Sequence, residues 1–151
     1  WIDGTVFCSS SDIPSYMLDS DLFLFQNLKP GLDGQVLAIS NWFITASYSN
    51  HPLLNITKDL LYDYWRNHNS AIDYFIFHHF FQIAIEEFPE YWNQVVPFNN
   101  STPHILQLRM FEEYDEKIYR AIIEQTPFHK LTYKFEDEKL EIPNTYYKNL
   151  F

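Results

Sequence analysis

Glycine is scarce in this 151-residue chain: three are present, too few for a glycine-rich phosphate loop of any type. Cysteine is scarcer still. Cys8 stands alone, which excludes an internal disulfide and fits a reducing compartment such as the cytoplasm. Basic charge is also short, with 10 Lys+Arg against 20 Asp+Glu. The resulting net charge of −10 repels nucleic acid, so nucleic acid is not an expected partner. A small anionic substrate remains compatible, given a local basic patch or a metal ion. No apolar run approaches the ~18 residues of a membrane span. What is abundant is aromatic: 14 Phe, 11 Tyr and 4 Trp lie in a chain that is 46% hydrophobic. That excludes disorder and supplies the core of one domain.

Strands come first. Residues 1–8 hold the strand formers Trp1, Val6 and Phe7 around one acid, Asp3. Leu22–Phe25 is a short apolar run between turn residues, which predicts a buried strand. Turns are expected at Lys29–Gly31 and Asp33–Gly34, then a strand over Gln35–Ser40 that continues extended to Ile44 or bends there. From Pro52 the period changes to that of a helix, with Leu53, Ile56, Leu60 and Tyr64 on one stripe and proline at the first position. A second helix is predicted from Ser70 to about Phe88, apolar on nearly every side and therefore central. A short helix or turn is expected over Glu90–Val96. Glu112–Gln125 reads as an amphipathic helix with Glu113/Lys117 and Glu116/Arg120 pairs, and the tail from Phe135 as a last helix. The order predicts an α/β class, a short mixed sheet followed by a helical region, in one domain spanning 1–151.

Three constellations carry chemistry. Asp3 and Thr5 put a carboxylate and a second oxygen two residues apart at a strand end, where ligands of open α/β sheets bind. Such a pair can face a ribose hydroxyl or a diphosphate-bound cation; a plain turn aspartate before Gly4 is the competing reading. Ser70 and Asp73 have the spacing of a capping box, which competes with an acid–base role for Asp73. His78 and His79 point about 100° apart on a helix and lack the spacing of a zinc pair. Tyr74 and His78 share a face, suited to sugar or acceptor contact, although core or rim packing is the default reading for the histidines. His129, Lys130 and Lys134 form the most basic short stretch. They suit a diphosphate leaving group or, as lysines often do, simple solvation.

Six stretches occur in order along most of the chain: Trp1-Ile-Asp-Gly-Thr-Val6, Ile39-Ser-Asn-Trp-Phe-Ile44, His51-Pro-Leu-Leu54, Ile72-Asp-Tyr-Phe75 with His78, Pro103-His-Ile-Leu106 and His129-Lys-Leu-Thr-Tyr133. Together they resemble the bacterial capsular polysaccharide synthesis proteins, glycosyltransferase-like enzymes of the A-type nucleotide-sugar transferase fold. The resemblance implies that the first stretch is a local version of the Asp-x-Asp motif, with Thr5 in place of the second acid. It implies that Asp3, Thr5, Asn41, Trp42 and His129 bind the nucleotide sugar, with Lys130 of the basic stretch beside them, and that Asp3 and His129 approach a divalent cation, Mn or Mg. It also implies that the chain begins at the hinge strand, as the acceptor-side C-terminal portion of a larger enzyme whose nucleotide-binding half lies upstream.

The expected function is transfer of a sugar from a nucleotide diphosphate to a glycan or lipid-linked acceptor, with Asp73 as the acid nearest to a catalytic role. The expected location is the cytoplasm or the inner face of the cell membrane, with peripheral membrane association of the full enzyme. A non-catalytic glycan-binding or scaffold fragment of the same family is the alternative. A glycoside hydrolase ranks below both, because no two acids can be placed at its required separation.

Overall fold

The computed structural model describes residues 1–28 and 38–151. The two turns read at Lys29–Gly31 and Asp33–Gly34, and the first residues of the strand from Gln35, lie outside them. The described residues form seven α-helices and two small sheets, an α/β fold. Among the described residues the strands are arranged as two antiparallel pairs rather than one mixed sheet. No helix among the described residues is long and apolar enough to cross a membrane. The chain divides into two compact units.

The first unit comprises Trp1 and Pro14–Asn100. It holds α1 (Ser15–Leu18), β2 (Leu22–Gln26), β3 (Ile39–Ala46), α2 (Pro52–Asn67), α3 (Ile76–Glu87) and α4 (Pro89–Trp92). All five residues of β2 are buried, which is why its sequence is apolar without alternation. Period-two geometry sends Leu22 and Leu24 to one face, where they pack with Ile39, Ile44, Leu53, Phe81, Ala84, Ile85 and Val95. Phe23 and Phe25 go to the other, among Tyr16, Trp42, Phe43 and Phe98. A register shift between the Leu24 and Gln26 pairings lets the neighbours Trp42 and Phe43 both meet that aromatic face. The predicted strand over residues 1–8 is interrupted. Trp1 pairs with β3 through its carbonyl, which accepts from Ile44 N at 3.0 Å, whereas the backbone at Asp3 turns.

Pro52 begins α2 as its position predicts. α3 begins six residues later than predicted, at Ile76, with Phe75 as the cap. The capping box does not form: Asp73 Oδ1 instead accepts from Phe75 N at 2.6 Å, a local turn that competes with helix.

The second unit comprises Ile2–Ile13 and Ser101–Phe151. Here β1 (Val6–Cys8) pairs with β4 (Phe128–Lys130), joined by a 3-10 turn over Thr102–His104, α5 (Ile105–Arg109), α6 (Glu116–Ile123) and α7 (Tyr146–Leu150). α6 is shorter than the predicted Glu112–Gln125, because Asp115 caps it by accepting from Ile118 N at 3.0 Å. The Glu116–Arg120 pair forms at 2.6 Å, while Glu113 lies ahead of the helix and bridges to Thr145. Leu106, Met110, Ile122, Leu131 and the fully buried Tyr146 make the core.

Candidate functional site

In the second unit, a turn closed by Val6 N donating to Asp3 O at 3.1 Å holds Asp3 and Thr5 just before β1. Antiparallel pairing sets Val6 opposite Lys130. The Lys130 ammonium donates to both Asp3 Oδ2 and Thr5 Oγ1, and Thr5 Oγ1 donates to the same carboxylate oxygen at 3.1 Å. Lys130 is largely buried and Asp3 partly exposed, with 19% and 41% of their side chains accessible. The Lys130 hydrogen bond, more than any other contact, holds the Asp3 carboxyl below its usual value, against a smaller opposing effect of burial.

Beside this cluster lies a cleft of about 500 Å³ whose lining includes Gly4, Thr5, Phe7, Tyr133, Tyr147 and Phe151. Aromatic rings with scattered hydroxyls suit a sugar or base ring, which is apolar on its faces and polar at its edge. A Cβ built on Gly4 would meet nothing within 4 Å, so this wall of the cleft is open.

His129 does not join Lys130. Neighbouring strand residues face opposite ways, and His129 turns inward, fully buried against Phe7 at 6.0 Å between ring centroids. Its Nε2 lies 3.1 Å from Ser9 Oγ in a hydrogen bond, and its Nδ1 has no hydrogen-bond partner of good geometry. Burial pushes its pKa down to about 4, with the Thr126 backbone opposing weakly. The unfolded chain therefore takes up this proton more readily between about 4 and the ordinary 6.5. Stability from His129 is complete above that window and falls as the pH drops through it, by roughly 3 kcal/mol in full. His51 and His78 are also shifted downward by burial, so the comparison must be internal. His129→Leu should flatten the dependence of unfolding free energy on pH between 6.5 and 4 in denaturant titrations; equal slopes for parent and variant would remove the buried-histidine assignment.

The residues here do not fit a divalent cation. Such an ion takes several oxygen ligands, and beside substrate phosphates it is held by one or two carboxylates whose oxygens are open to it. Asp3 has a hydroxyl as its neighbour and an ammonium already on its oxygen, and His129 lies on the other face of β4. Among the described residues no group of three or more His, Cys, Asp or Glu stands close enough to hold a metal ion.

The remaining expected site residues lie in the first unit. Asn41 is exposed and borders a hollow of about 480 Å³ with Trp1, Ile44, Ala46, Leu54 and Phe77. Trp42 faces the core instead. It is stacked on Phe25 at 4.6 Å, and its Nε1 donates to Asn100 Oδ1 at 3.2 Å. Asp73 is half exposed, 3.8 Å from His79 Nε2, beside an 88% exposed Tyr74. His78 is buried against Phe75 and Phe77, and burial lowers its pKa. His79, rather than His78, is the histidine presented outward beside Asp73.

Sequence reading gave no site role to Ser9 or to the cleft aromatics Tyr147 and Phe151, and weighed His79 only with its neighbour His78. Strand alternation from Lys130 would have flagged His129 as inward. Nothing local announces Ser9, 120 residues away from its partner.

No curated protein and no solved structure matches the chain. A family model described as capsular polysaccharide synthesis protein spans residues 1–150, taking in the Asp3–Lys130 cluster, its cleft but for Phe151, and the whole first unit. Its span covers nearly the whole chain, and the chain belongs to the capsular polysaccharide synthesis protein family.

Proposed function

We propose that this chain carries the donor-diphosphate site of a glycosyltransferase that moves a sugar from a nucleotide diphosphate to a glycan or lipid-linked acceptor. Family membership supports a role in capsule biosynthesis. The observation that carries the finer reading is the Asp3–Thr5–Lys130 cluster, whose Thr5 also lines an aromatic cleft. A carboxylate accepts from ribose or sugar hydroxyls, an ammonium attracts phosphate, and Tyr133 or Tyr147 offers a stacking face for a ring. Opposite charges held together in a partly dry site are poised to exchange partners when a ligand bearing both hydroxyls and phosphates arrives.

The test uses the complete protein and a panel of nucleotide diphosphate sugars, with release of nucleoside diphosphate as the readout. One donor is expected to be consumed. Gly4→Leu adds a side chain at a residue that lines the cleft, and the backbone tolerates it, since a Cβ there meets nothing within 4 Å. It should raise the donor KM about tenfold, the scale of a lost pocket contact, at an unchanged melting temperature. Binding of glycans with no donor bound or consumed would instead make the protein a non-catalytic glycan-binding member of its family.

A further inference from the structure

We infer that Lys130 is the built-in cation of this site: its ammonium, in place of a bound divalent metal ion, meets the charge that develops on the departing diphosphate. This rests on the donor-site reading above and goes beyond it by naming what stabilises the leaving group.

Two observations point the same way. The two oxygens that an Asp-x-Asp pair would offer a metal are here a carboxylate and a hydroxyl, and both already hold the Lys130 ammonium. A divalent ion arriving at Asp3 would sit beside that ammonium, like charge against like charge. Secondly, an ammonium has three N–H donors, and Asp3 and Thr5 take two. No third acceptor stands on it among the described residues, and 19% of the Lys130 side chain is accessible. The ammonium is therefore positioned by the protein and, among the described residues, has room for one further acceptor, which a phosphate oxygen would supply.

In the transfer step the bond between the anomeric carbon and the diphosphate oxygen breaks, and its electron pair stays on that oxygen. The acceptor hydroxyl oxygen bonds to the same carbon, and its proton passes to water. Nothing is oxidised or reduced. Lys130 keeps its proton and donates its third N–H to the diphosphate as charge builds there, with Asp3 and Thr5 holding the ammonium in place. An ammonium serves such a group as a compact point charge.

The experiment measures donor turnover by the complete protein after exhaustive EDTA treatment, then with Mn or Mg restored, for the parent, Lys130→Met and Lys130→Arg. Melting temperatures are recorded for all three, and Mn binding to the parent is followed by electron paramagnetic resonance. The expected parent rate changes less than about twofold between EDTA and added metal, with the Mn signal remaining that of the free ion. Lys130→Met should lose roughly 10²-fold or more in kcat, the scale of a removed charge-stabilising donor, and Lys130→Arg should recover part of it. Turnover that EDTA abolishes and Mn restores, with Lys130→Met within a few-fold of the parent, overturns the inference and leaves the donor-site reading standing. A parent that neither binds nor consumes any donor, with or without metal, overturns both.

Discussion

Asp3→Asn is expected to lower sugar transfer by the complete protein roughly 10²-fold or more, while the melting temperature moves by a few degrees at most. Asparagine keeps the size of the side chain and an oxygen for Thr5, so the turn that Val6 closes on the Asp3 carbonyl should survive. What it removes is charge. Lys130 would keep its ammonium with no carboxylate opposite, and the hydroxyls of a bound donor would lose a charged acceptor. The stability cost is small because the pair is partly exposed, where solvent screens it to within about 1 kcal/mol. The pH dependence has a definite sign. Lys130 holds the folded Asp3 carboxyl below its ordinary 3.8, so the pair's stabilisation is present above that value and is lost only as the pH falls through the lowered one. Across neutral and mildly acidic pH, transfer should therefore show no loss from Asp3. Activity within a few-fold of the parent in Asp3→Asn would return Asp3 to an ordinary turn residue.

The largest loss of stability is expected from Phe25→Ala, at about 3–5 kcal/mol. Phe25 is fully buried, stacked on Trp42 at 4.6 Å and edge-on to Phe23, Phe43 and Phe98 at 5.4, 5.7 and 5.5 Å. β2 is buried on both faces, so the neighbours cannot relax toward solvent to fill the space. A loss of that size is a large share of the ~5–15 kcal/mol that holds a typical domain together. Tyr74→Ala is the matched control: its ring is 88% exposed, and the change should stay within about 0.5 kcal/mol. Urea titrations followed by tryptophan fluorescence report directly on the ring that Phe25 covers. A cost for Phe25→Ala below about 1 kcal/mol would mean that the aromatic face of β2 is not a packed core.

Several elements were legible because their signals are local. The 3.6-residue stripe and the leading proline place α2, which begins at Pro52. The unbroken apolar run places β2, because a strand covered on both sides needs no alternation. Where two local patterns compete, the sequence misleads. Ser70 and Asp73 read as a capping box, yet Asp73 bonds to Phe75 N and delays the helix to Ile76. Both outcomes satisfy a backbone N–H with the same carboxylate, and spacing alone cannot rank them. The helix predicted from Glu112 meets the same difficulty, since Asp115 captures the cap three residues further on.

By itself the sequence determined composition, the family's ordered motifs, the α/β class and Asp3 as the residue to question. The tertiary structure decided what Asp3 touches. Lys130 is 127 residues away, and only the antiparallel pairing of β1 with β4 brings its ammonium to that carboxylate. The same pairing split two adjacent residues that the sequence grouped as one basic stretch. Lys130 faces the cluster, and His129 faces the core with its pKa down to about 4. The reason is geometric: a chain read one residue at a time carries no record of which strand lies alongside, and on a strand one step in sequence is the difference between inside and outside.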